Sequence, residues 1–132
     1  MSVPPIVRHM IACEDYEVAP PPSQRLSIHG LLTGLRAIDP FPVLYQGFCV
    51  VLVLTDGRGV GDGQIVCVVE ETGQPVFGSQ VHPIHFSNDP LERVVAPFRL
   101  RACPFPFPAM YSIQFWYNQQ LIHECPLRVR SA

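Results

Sequence analysis

From Phe98 to Arg130 the chain reads FRLRACPFPFPAMYSIQFWYNQQLIHECPLRVR, and this run leaves little choice of secondary structure. Tyr111, Ile113, Phe115 and Tyr117 fall on one face at period two, while Ser112, Gln114 and Asn118 fall on the other. That is the alternation of a half-buried strand. The prolines at 104, 106 and 108 lock a corner before it. After a short polar turn, Leu127 and Val129 again alternate with Arg128 and Arg130. The stretch reads as strand, corner and hairpin.

The rest of the chain obeys the same rule. Fifteen prolines in a chain that is 48% apolar and 15% charged argue against helices and against disorder. No segment keeps a helical period over eleven or more residues. Strands are expected at Val7–Cys13, Arg25–Leu35, Phe48–Leu54, Gln64–Glu70, Val76–Phe86 and Arg93–Ala102, ahead of the closing hairpin. Phe48–Leu54 is apolar almost throughout, which fits a strand covered on both faces. Thr55–Gly63 (TDGRGVGDG) reads as the mobile tip of a hairpin joining Phe48–Leu54 to Gln64–Glu70. Pro83 points to an edge position for Val76–Phe86. The expected fold is all-β: one immunoglobulin-like antiparallel sandwich of seven or eight strands spanning residues 1–132.

The layout resembles an uncharacterised family of small bacterial β-sandwich domains. The matching pieces are Ile11-Ala12-Cys13-Glu14-Asp15, Leu26-Ser27-Ile28-His29-Gly30, Val50–Leu54, Thr72-Gly73-Gln74-Pro75-Val76, Pro104–Tyr111 and Pro126-Leu127-Arg128-Val129. Where that family carries glycine before the corner tyrosine, this chain has Ala109-Met110. The resemblance implies the fold and brings no activity with it.

Charge and residue usage narrow the function classes. The net charge is −2 and all nine basic residues are arginine. No global field draws nucleic acid, and no lysine exists for a Schiff base or a phosphate loop. A phosphate cradle would also need a helix after Gly63, where a strand is expected. No segment reaches the 18–20 apolar residues of a membrane span, and no signal-peptide h-region opens the chain. Five widely spaced cysteines fit free thiols in a cytoplasmic protein. No cofactor is expected.

Two sets of residues carry functional readings. Trp116, at the outward parity of its strand, fits either an interface or a side chain covered by Phe105 and Phe107 of the proline-rich corner. Arg99, Arg101, Arg128 and Arg130 are also at outward parity. If their strands are neighbours, four guanidinium groups share one face and suit an acidic partner. The second set is His82, His85, His123 and Cys125, whose imidazoles and thiolate could ligate zinc if the fold gathered them. Cys103 and Cys125 are the thiols a nucleophilic mechanism would call on. The expected function is a non-enzymatic binding or assembly module, acting on a protein partner or a second copy through an edge strand or the Trp/Arg surface. The alternative is a small metal- or thiol-dependent enzyme.

Overall fold

The computed structural model describes residues 2–132. Its strands are β1 (Ile6–Val18), β2 (Leu26–Leu31), β3 (Gly34–Ala37), β4 (Val43–Thr55), β5 (Val60–Val69), β6 (Pro75–Gly78), β7 (His82–His85), β8 (Val94–Phe105), β9 (Ala109–Tyr117) and β10 (Gln120–Ser131). One sheet has the order β2-β1-β4-β8. The other runs β3-β10-β9-β5-β6, with β7 also paired to β5. Among the described residues all pairings are antiparallel except β3 with β10. The β4-β8 pair faces β10-β9-β5, the arrangement of the B-E and G-F-C strands in an immunoglobulin-like sandwich. The Tyr111 hydroxyl donates to the Phe107 carbonyl, closing the tyrosine corner that belongs to that fold.

Among the described residues ten strands replace the expected seven or eight because two segments each split. Arg25–Leu35 breaks at Leu32–Thr33, sending β2 to one sheet and β3 to the other. Val76–Phe86 breaks at Ser79–Val81 into β6 and β7, both paired to β5. A larger correction concerns Phe48–Glu70. It is no hairpin: β4 and β5 lie in different sheets, and the chain crosses between them at 56–59. The crossing is tied down. Thr55 Oγ1 donates to Asp56 Oδ2 at 2.7 Å and accepts from Arg8 Nε at 2.7 Å. Arg8 also pairs with Asp56 at 3.0 Å. The Thr55 hydroxyl first, and then Arg8, hold the Asp56 carboxyl below the usual range.

The inward faces build one core. Phe48, Val50, Leu52 and Leu54 of β4 meet Ile65, Cys67 and Val69 of β5 and Tyr111, Ile113, Phe115 and Tyr117 of β9. One series of edge-on aromatic contacts runs Tyr45–Phe48–Phe77–Phe105–Tyr111, with centroids 6.2, 6.4, 5.3 and 5.0 Å apart. Such offset geometry adds to area burial. The apolar run of β4 is covered on its other face too. Cys49 and Val51 join Cys13 in a second buried cluster under Ile11, Tyr16, Leu26, Ile28 and Val95. Both faces of Phe48–Leu54 are dry, which is why that run does not alternate.

The Tyr117 hydroxyl is buried with no hydrogen-bond partner among the described residues. An orphaned hydroxyl costs more than it returns. Tyr117→Phe is therefore expected to raise the unfolding free energy by about 1 kcal/mol. A higher midpoint at unchanged m in chemical denaturation would show it.

Candidate functional site

The two arginine pairs do not share a face. Arg99 and Arg101 lie on β8 in the four-stranded sheet, while Arg128 and Arg130 lie on β10 in the six-stranded sheet. Each pair alternates with core residues of its own sheet, so the two pairs point to opposite sides of the sandwich. Arg99 is already engaged. It pairs with Asp15 at 3.0 Å and sits 5.7 Å from the Tyr16 ring centroid. The Tyr16 amide and then Arg99 hold the Asp15 carboxyl low.

Trp116 is half-buried on the outer face of the six-stranded sheet, and its Nε1 donates to Gln114 Oε1 at 3.0 Å. The corner does not cover it. Phe105 is in the core and Phe107 stacks on Tyr111, at the opposite end of β9. Trp116 instead borders a hollow of about 260 Å³ with Asp62, Gln64, Val81, Asn118 and Gln119.

The histidine and cysteine set is not assembled. His82 and His85 lie on β7, which pairs with β5. His123 and Cys125 lie on β10, and β9 and β5 intervene between the two strands. His82 packs against the Phe98 ring at 5.7 Å. The thiols are also unsuited to attack. Burial pushes Cys67 up to about 12 and Cys103 to about 11, and burial followed by Glu124 raises Cys125. Cys67 and Cys103 therefore remain protonated near neutrality, and the rise at Cys125 works in the same direction, opposite to what a nucleophile needs.

The feature that stands out is a strand edge. β4 pairs with β8 along Val43–Leu54, but its ladder with β1 ends at Cys13↔Cys49. Beyond that rung β1 follows β2 instead. Among the described residues nothing pairs with the other side of Val43–Phe48. Among the described residues nothing pairs with the outer side of β3 either. The two edges flank a cleft of about 500 Å³ whose lining includes Glu14, Arg36, Asp39, Leu44, Tyr45 and Phe105. Ile38 and Leu44 stand at it 91% and 64% exposed, so the cleft has an apolar rim. Burial and then Glu14 raise the Tyr45 hydroxyl, which stays neutral.

Prolines guard the other edges unevenly. The β6, β7 and β8 edges carry Pro75, Pro83, Pro97 and Pro104, the usual protection against strand addition. β2, β3 and the first half of β4 carry none, and of these β3 and β4 line the cleft. Pro104 also fixes the direction of the bare groups. It is the register partner of Leu44. Directly opposed antiparallel residues exchange both hydrogen bonds or neither, and proline has no N–H to exchange. Leu44 therefore turns its N–H and C=O toward the bare edge.

Sequence reasoning missed Arg36. The parallel pairing of β3 with β10 sets Arg36 beside Arg130, and Gly34 beside Arg128. Among the described residues the arginine ion pairs involve Arg8 and Arg99, and none involves Arg36, Arg128 or Arg130. Only a pairing between segments far apart in sequence brings these three together, and no local pattern announces it.

A model of a family of unknown function (DUF6941) matches residues 10–130, and the chain belongs to that family. No curated protein matches the chain.

Proposed function

We propose that this member of the DUF6941 family is a non-enzymatic protein-binding module that takes an extended segment of its partner as an added strand on the bare edge of β4. One observation carries this reading: Val43–Phe48 is unpaired on one side and opens onto a cleft with an apolar rim. Unpaired N–H and C=O groups at strand spacing match extended backbone, and Ile38 and Leu44 offer contacts to alternate side chains. Arg36 lines one wall of the cleft and Glu14 and Asp39 line it too, so a partner segment meets charges of both signs there. Trp116 and its hollow lie outside this site. We place the protein in the bacterial cytoplasm, on the family resemblance and on five unpaired cysteines.

Leu44→Pro tests the reading. The substitution removes one donor on the bare side and none from the ladder with β8, so the fold is expected to tolerate it. Peptides selected from a random library on the immobilised protein are expected to shift the amide signals of Val43–Phe48. They are expected to bind Leu44→Pro about tenfold more weakly, the loss of one backbone hydrogen bond. Trp116→Ala is expected to leave their affinity unchanged. Binders indifferent to Leu44→Pro, or a library that gives none, would overturn the proposal. If light scattering finds a dimer that Leu44→Pro dissolves, the partner strand is a second copy.

A further inference from the structure

Cys13 and Cys49 are direct register partners across the β1–β4 ladder, and both are fully buried free thiols. Opposed residues of an antiparallel pair project to the same face, with Cβ atoms about 4.5–5.5 Å apart. A disulfide needs about 3.5–4.5 Å. A small approach of the two strands is enough. The other three cysteines have no such mate. Cys67 and Cys125 are both register partners of Ile113, one on each side of it, which sets them about two strand spacings apart, roughly 9–10 Å. Cys103 faces the same core as Cys67 from the opposite sheet, and its register partner is Tyr45, not a cysteine.

We propose that Cys13 and Cys49 form a redox modification site, a cross-strand dithiol that closes reversibly to a disulfide by exchange with a small disulfide such as oxidised glutathione. The position supplies the access that burial would otherwise deny. Cys13↔Cys49 is the last rung before β1 leaves β4, so the pair sits at a fork, where a ladder opens first. In the first step a thiolate of the pair attacks one sulfur of the small disulfide. A mixed disulfide forms and one small thiolate leaves. In the second step the other cysteine, as thiolate, attacks the protein sulfur of that mixed disulfide and expels the second small thiolate. The protein gives up two electrons and two protons, and the small disulfide becomes two thiols. Burial pushes both thiols up, so exchange is slow at neutral pH and quickens as pH rises. A bond made across opposed strands carries strain, and strain makes it easily reduced. The exchange itself needs no partner at the bare edge, which begins at the next residue of β4.

The folded protein is incubated with oxidised glutathione at pH 8, and the remaining thiols are alkylated and mapped by mass spectrometry. The expected product has lost two hydrogens, retains three of its five thiols, and yields a single cross-linked peptide joining Cys13 to Cys49. Dithiothreitol restores all five. Cys67→Ser is expected to behave as the wild type, and Cys49→Ala to form no internal disulfide. Mapping of the wild type decides the matter even if Cys49→Ala does not fold. Five thiols surviving in the folded protein, a stable glutathione adduct in place of the cross-link, or a disulfide through Cys67, Cys103 or Cys125 would overturn the proposal.

Discussion

Gly61→Ala is expected to cost about 3 kcal/mol, the price of overpacking a site that cannot relax, and to lower the Tm by roughly 10 °C. Gly61 is buried in β5, and a Cβ there would overlap the ring and hydroxyl of Tyr117. The Tyr117 ring is itself enclosed: it is 1% exposed and lies against Phe86 and Phe115 with centroids 6.2 and 6.3 Å away. It has nowhere to swing. The same substitution in a Tyr117→Leu background is expected to add little further loss, because the shorter side chain leaves room for the new methyl. That coupling separates a clash with the ring from a general aversion of the strand to alanine. Equal costs in both backgrounds would refute the packing account. Thermal and denaturant unfolding of the four proteins of this cycle supply the numbers.

This glycine also shows where sequence reading reached its limit. Asp56–Gly63 has the composition of a mobile loop, yet β5 begins at Val60, and Gly61 and Gly63 are buried. Gly63 lies against Ile84, Phe98 and Phe115, as Gly61 lies against Tyr117. Glycine serves here as an absence of side chain under aromatic rings, and composition cannot distinguish that from freedom in a turn. The period was nonetheless present, since Gly61 and Gly63 extend the inward parity of Ile65, Cys67 and Val69. By contrast the closing hairpin was fully legible. One face of β9 is dry and the other is partly wet, so burial is written into the alternation of Tyr111–Tyr117. Its turn is Asn118-Gln119, both at positive φ, as a two-residue hairpin loop demands.

What stayed hidden is which strand lies beside which. Turn signals mark where a strand ends and carry no information on the sheet that receives the next one. Hence β4 and β5 read as a hairpin although they occupy different sheets. The same gap concealed the candidate site. The bare edge exists because β1 leaves β4 after Cys13, a choice of neighbour made between remote segments. Arg36 meets Arg130 through the one parallel pairing among the described residues. The parities of Arg99, Arg101, Arg128 and Arg130 could be read locally, but their separation onto two faces could not.

Gly47→Ala is expected to cost a similar amount, about 3 kcal/mol, by a different route. In β4 the core-facing residues are Phe48, Val50, Leu52 and Leu54, yet before Gly47 they are Val43 and Tyr45. In β8 they are Phe98 and Leu100, and then Cys103 and Phe105. Both strands change parity at the same place, so the register between them survives while each re-aims its side chains. The change is made by Gly47 at φ 150° and Ala102 at φ 54°. A Cβ on Gly47 would meet the Leu100 carbonyl oxygen and the Arg101 backbone. Unlike the ring over Gly61, main chain in a ladder cannot be trimmed by a second substitution, so no side-chain variant of β8 is expected to rescue Gly47→Ala. The damage should also be local first. If the kink straightens, Val43 and Tyr45 turn out of the core and the bare edge at Leu44 is re-aimed. Hydrogen exchange at Val43–Phe48 and Arg101–Phe105 is then expected to rise ahead of exchange in β9. A uniform rise across both sheets would mean that Gly47 contributes only to global stability and that the kink is not what shapes the cleft.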